Sequence, residues 1–207
     1  MAGDEVIRDT EVDTSRRVLL TAATATTGAI GALFVAYPFV ASWMPSERAR
    51  ALGAPVTVDV SKIDPGQMIL LMWRKQPIFV VRRTPAMVAS LAGHDERLKD
   101  PKSLQSDQPP YAKNVDRSRT PEILVLIAVC THLGCLPKTR FEPGFPELGA
   151  NWPGGFFCPC HGSRFDLAGR VFDGSPASVN LRVPPYAYAN DHTLVIGVSD
   201  VNQKGTA

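Results

Sequence analysis

The sequence predicts a mainly β protein: small antiparallel sheets with one helical insertion, carried behind a single N-terminal transmembrane helix. Three observations predict it. The run from Val18 to Trp43 carries no charged residue. From Val56 onward, short apolar segments alternate with turn residues. Eighteen prolines and sixteen glycines punctuate the chain, which suits a loop-rich β domain rather than a helical bundle.

Residues 1 to 17 form a short N-terminal segment of mixed charge, with no pattern of regular structure over residues 1 to 13. The apolar run 18 to 43 would extend roughly 39 Å as a helix, against about 30 Å of bilayer hydrocarbon. It is rich in Ala, Thr and Gly, residues that suit packing against other membrane helices. Arg16 and Arg17 precede it, and Tyr37 and Trp43 fit an aromatic belt at its far end, so the positive-inside rule puts the N-terminus in the cytoplasm. A cleaved signal peptide would have an apolar region of only about 7–15 residues. The stretch TSRRVLL, Thr14 to Leu20, also resembles a twin-arginine export signal. Residues 44 to 55, including PSERARALGAP, are polar and then small, and read as a linker able to act as a hinge.

The exported domain, 56 to 207, follows. VTVDVS alternates as a half-buried strand should. MILLMW and IFVVRR flank a break at Lys75–Pro77 and predict a hairpin. PAMVASLAGHDERLKD has a weak helical period, with Asp95 and Glu96 expected on a solvated face. EILVLIAVC is the strongest strand signal and runs into Cys130. FDLAGRVF carries a turn at Ala168–Gly169 between two short strands, and LRVPPYAYAND with HTLVIGVS makes a closing pair. His94 and His192 are expected at the surface or in turns.

With 207 residues, 44% of them hydrophobic, the chain can form one packed domain plus an appendage. A net charge of +2 argues against nucleic acid as a partner, because phosphate binding needs a concentrated basic surface. Four cysteines are too few for a disulfide scaffold. All four lie in CTHLGC, 130 to 135, and CPCHGS, 158 to 163, together with two of the four histidines. Glycines at 134 and 162 allow the tight backbone of metal-wrapping loops. Three readings compete. Structural zinc would take two Cys and two His and leave two cysteines idle. Two disulfides would leave the histidines without a task. A two-iron two-sulfur cluster on two Cys and two His, beside one disulfide, uses every residue.

CTHLGC followed by CPCHGS resembles the double motif of Rieske iron–sulfur proteins, in the disulfide-bearing version found in quinol-oxidising cytochrome bc complexes of proteobacterial type. The resemblance covers most of the chain, anchor and linker included. It implies a cluster-binding subdomain at about 128–177 within a Rieske-type β domain. It implies one 2Fe–2S cluster per chain, with Cys130 and Cys158 on the buried iron and His132 and His161 on the outer one. Cys135 and Cys160 would form the disulfide. Two imidazoles in place of two thiolates leave the cluster less negative and raise its potential into a range of about −150 to +300 mV, where a quinol can reduce it. His161 would be the catalytic residue, accepting the hydrogen bond of quinol.

The resemblance further implies that Ser163 donates a hydrogen bond to a cluster sulfur and raises the potential. Where high-potential members carry a second donor, a tyrosine, this sequence has Phe165, so a lower potential is expected. Leu133 and Gly134 would form the tip that docks on cytochrome b, and Gly174–Ala177 resembles a proline loop covering the cluster. The implied partners are cytochrome b, a c-type cytochrome and quinol, in a dimeric complex of the bacterial inner membrane. The cluster domain would lie on the periplasmic side and swing on its linker. Alternatives are a related menaquinol- or plastoquinol-oxidising complex, a soluble Rieske ferredoxin or oxygenase domain, and a zinc-stapled structural domain. The anchor and the second cysteine pair argue against the soluble forms.

Overall fold

A computed structural model describes residues 13–200, and the chain divides into two units after Arg48. In the first, helix α1 spans Thr14–Ala41, capped by Asp13, whose side chain accepts from Arg16 N at 3.0 Å. It begins four residues before the uncharged run and ends two before Trp43. None of its residues is buried within the protein, and its length of about 42 Å exceeds the bilayer core. The threonines do not spoil this. Thr24, Thr26 and Thr27 each donate to the carbonyl four residues back at 2.8 Å, so their hydroxyls need no water. Apart from Asp13, the N-terminal segment expected to lack regular structure lies outside the described residues. The linker is not coil throughout, since a short helix, α2, occupies Glu47–Gly53.

The second unit holds three three-stranded sheets. Strand β1, Val56–Asp59, pairs antiparallel with the late strand Thr193–Ile196, which also pairs with Tyr186–Tyr188. The first strand of this unit thus shares a sheet with its last two, which form the expected closing pair. Strands β2, Met68–Trp73, and β3, Gln76–Arg82, form the expected hairpin, with Arg74 and Lys75 at φ of 50° and 61° in its tight turn. Strand β4, Ile123–Ile127, adds to the other edge of β3, with Ile78 opposite Ile127 and Arg82 opposite Ile123. Every residue of β4 is buried, which explains its unbroken apolar run: a strand covered on both faces has no polar side. It stops three residues short of Cys130, so the first cysteine lies in the loop beyond the strand.

The third sheet carries the second cysteine loop. Strands β5, Lys138–Arg140, β6, Gly155–Phe157, and β7, Arg164–Phe165, pair in that order. Phe156 of β6 stacks on Phe79 of β3, ring centroids 5.5 Å apart, and meets Phe141 edge-on. That aromatic contact seats the small sheet on the large one. The remaining strands are β8, Tyr186–Tyr188, and β9, Thr193–Ile196. FDLAGRVF does turn at Ala168–Gly169, but β7 is answered only by a single bridge, Phe165 to Val171.

The insertion corrects three expectations. Its helix is short, α3 at Pro85–Ala89, followed by a 3-10 turn at Asp95–Arg97. His94 is not at the surface; it is buried, with Nε2 3.3 Å from Asp166 Oδ2 and its ring stacked on Phe172. Asp95 is not merely solvated, since it pairs with the buried Arg170 at 2.8 Å. The reason is shared. Arg83, Arg117 and Arg170 are all buried and spend their donors on loop carbonyls and acids from distant segments. A loop-rich core must satisfy its backbone groups with side chains where sheet bonds are missing. His192 is exposed, as expected.

Candidate metal centre

Two loops with the same backbone design build the site. In the first, Cys130 N donates to Cys135 O at 2.8 Å and Gly134 N donates to Cys130 O at 2.9 Å. In the second, Cys158 N donates to Ser163 O at 2.8 Å and Gly162 N to Cys158 O at 2.9 Å. Gly134 and Gly162 sit at φ of 85° and 78°, a region that strains any residue with a Cβ. β4 leads into the first loop, and the β6–β7 hairpin carries the second at its tip.

Cys135 and Cys160 form a disulfide that ties the loops together, as the resemblance implies. Cys130 and Cys158 are unpaired and buried. The sulfurs of Cys135, Cys158 and Cys160 lie within 4.8 Å of one another, but two of them are consumed by the disulfide, so this trio is not a ligand set. The rings of His132 and His161 face each other edge to face with centroids 4.7 Å apart. His161 is exposed, whereas His132 is half-buried and its Nδ1 is buried with no hydrogen-bond partner. A buried ring nitrogen without a partner costs free energy unless something not yet counted binds it. Burial pushes the Cys158 thiol above its usual range, as does neighbouring Cys130, while the N–H groups of Cys160 and His161 favour its thiolate.

Two free buried sulfurs, two adjacent imidazoles and an orphaned ring nitrogen fit a mixed Cys/His metal centre. The same donors would also suit tetrahedral zinc, so the donor set alone does not choose between them.

The other site residues singled out in the sequence lie on these loops or close to them in the chain. Ser163 is fully buried, and its Oγ accepts from Ala177 N at 3.0 Å. Among the described residues its hydroxyl donates to no protein acceptor. Phe165 is fully buried in β7, a core residue as well as a neighbour of the loop. Leu133 is 70% exposed and Gly134 is exposed beside it. The Gly174–Ala177 loop touches the second ligand loop: Arg164 N donates to Ser175 Oγ at 3.1 Å. Just past it, Val179 O accepts from Thr131 Oγ1 of the first loop at 2.6 Å. Sequence reading missed Thr131 and also Lys99, which bonds this loop from the insertion. A lysine between two turns carries no pattern that would mark it.

Comparison with known proteins decides the class. A family model described as "Rieske [2Fe-2S] domain" matches residues 54–186, and one described as "Ubiquitinol-cytochrome C reductase Fe-S subunit TAT signal" matches residues 8–46. The chain is therefore a Rieske iron–sulfur protein, and the group at this centre is a [2Fe–2S] cluster rather than zinc.

An iron–sulfur subunit of ubiquinol–cytochrome c reductase from Allochromatium vinosum is 53% identical over 90% of both chains. The subunit of the same name from Blastochloris viridis is 40% identical over 89% of this chain and 94% of its own. A solved structure titled "Hyperthermophilic respiratory Complex III" aligns at 26% identity and a TM-score of 0.49, covering 84% of this chain and 98% of that one. The chain belongs to the family of iron–sulfur subunits of ubiquinol–cytochrome c reductase.

Proposed function

We propose that Cys130 and Cys158 hold the inner iron of the cluster and His132 and His161 the outer one. The single observation carrying this assignment is the meeting of the two rings at 4.7 Å next to two unpaired buried cysteines, with His132 Nδ1 left without a protein partner. When bound, the cluster supplies a one-electron acceptor at a potential a quinol can reach.

The chain's own residues do the rest. His161, exposed at the tip, receives the hydrogen bond of ubiquinol, the quinol for which the relatives are named. Leu133 and Gly134 present an apolar tip to cytochrome b, where water is excluded from the quinol. The head then delivers its electron to a c-type cytochrome, turning on the 44–55 linker. The anchor α1 lies in the bacterial inner membrane with its N-terminus cytoplasmic and the head periplasmic, in a dimeric complex. The twin-arginine match supports that route, because it exports folded proteins and a cluster must be wrapped before crossing.

Iron and sulfide analysis with electron paramagnetic resonance tests the ligand assignment in the full chain. His132→Ala and His161→Ala are each expected to abolish the reduced-cluster signal while leaving the Cys135–Cys160 disulfide formed. A wild-type signal in either variant would remove that histidine from the ligand set.

A further inference from the structure

Lys99 belongs to the insertion, yet its ammonium reaches the loop over the metal centre, donating to Ser175 O at 2.6 Å and Ala177 O at 2.9 Å. Neither acceptor is a carboxylate, so this is a clamp on backbone rather than an ion pair. Its own backbone is held on the same side: Lys99 N donates to Val171 O at 3.0 Å and Asp173 N to Arg97 O at 2.8 Å, with Leu98 bridged to Phe172. The clamp is therefore rigid at its root.

The two carbonyls it holds flank one particular peptide, the Pro176–Ala177 bond, whose N–H donates to Ser163 Oγ at 3.0 Å. Pro176 has no N–H of its own, so the loop cannot steady itself at that point. A hydroxyl has a single proton to give. With Ala177 N–H filling the acceptor side of Ser163 Oγ, the proton is turned away from Ala177, and it meets no protein acceptor among the described residues. The orientation of that hydroxyl is set by the Ala177 N–H, and the N–H by Lys99.

We propose that Lys99 is a positioning residue for the cluster's hydrogen-bond environment: it fixes the Ala177 peptide and thereby aims the Ser163 hydroxyl at a cluster sulfur. This rests on the reading that Ser163 is a sulfur donor, which raises the potential by favouring the more negative reduced form. Losing Lys99 frees the peptide, lets the hydroxyl turn and lowers the potential. Losing its positive charge would lower the potential too, by a route that does not pass through Ser163. The two routes differ in additivity, because residues acting through one contact do not add whereas independent ones do.

The experiment is a redox titration of the full chain, followed by electron paramagnetic resonance, on Lys99→Met, Ser163→Ala and the double variant. Lys99→Met and Ser163→Ala are each expected to lower the midpoint potential, and the double variant to fall clearly short of the sum of the two shifts. An unchanged potential in Lys99→Met overturns the proposal. So does a Lys99→Met shift that persists in full when Ser163 is already alanine, which would leave only a charge effect. An unchanged potential in Ser163→Ala alone instead refutes the reading of Ser163 on which this rests. Should Lys99→Met fail to retain the cluster, Lys99→Ala, which likewise removes both the donors and the charge, carries the same comparison with and without Ser163→Ala.

Discussion

His94 Nε2 lies 3.3 Å from Asp166 Oδ2, inside the protein, and the same carboxylate oxygen accepts from Arg170 Nε at 2.7 Å. Asp166 Oδ1 takes the backbone N–H groups of Ala168 and Arg170 at 2.9 and 2.7 Å. This one buried acid thus organises the turn that follows the second ligand loop.

Burial pushes the Asp166 carboxyl up, but the bond from His94 and the charge and bonds of Arg170 outweigh it and hold the group below the usual carboxylate range. A value depressed by folding adds stability that is complete above the unfolded-state pKa and is lost as pH falls through the folded-state value. Wild-type protein should therefore keep this contribution at neutral pH and lose it only in acid. Asp166→Asn removes the buried one of the two carboxylates paired with Arg170, leaving only the more exposed Asp95, and should cost roughly 3 kcal/mol at neutral pH, while flattening the acid limb. Denaturant unfolding across the pH range checks both.

The disulfide between Cys135 and Cys160 closes a loop across 25 residues. By chain entropy such a link contributes about 3 kcal/mol. Replacing both cysteines with alanine should cost that much stability and also let the two ligand loops part. The cluster should then bleach at a lower denaturant concentration, followed by visible absorption. Equal bleaching in both proteins would show that the clasp does not hold the centre.

Gly155 sits at φ of 149°, and a Cβ there would stand 2.0 Å from Phe165 O. No movement of a side chain relieves that clash, because the neighbour is backbone. Gly155→Ala should part β6 from β7 and destabilise the head by about 3 kcal/mol or more. Thermal unfolding and the iron content of purified protein would register the loss.

Phe165 is wholly buried beside the second loop. Phe165→Tyr should raise the midpoint potential, because the added hydroxyl can donate toward the cluster where phenylalanine cannot. Voltammetry that finds the potential unchanged would place position 165 outside the electronic environment of the centre.

The linker prediction concerns motion. Replacing residues 46 to 55, α2 included, by a stiff polyproline stretch should leave the cluster signal intact and abolish quinol turnover. Full turnover in that variant would rule out a swinging head.

Much of the site was legible because it is local. The backbone bonds of each ligand loop run between a cysteine and residues four or five positions on, so spacing and two glycines suffice to announce the turn. The hairpin at Arg74–Lys75 and the long apolar helix are legible for the same reason: their patterns are written in neighbouring residues. The insertion was misjudged where its meaning is distant. His94 reads as a turn residue because its partner is 72 positions away, and Asp95 reads as solvated because Arg170 is 75 away.

By itself, then, the sequence determined the long apolar helix, the β character and the two glycine-bearing cysteine turns, since each follows from residues within a few positions of one another. Only the tertiary structure decided which polar groups are buried and what they hold, as with Lys99 gripping a carbonyl 78 residues away. The physical reason is that a charged side chain enters a protein interior only where distant segments jointly offer it partners, and no local pattern records that meeting.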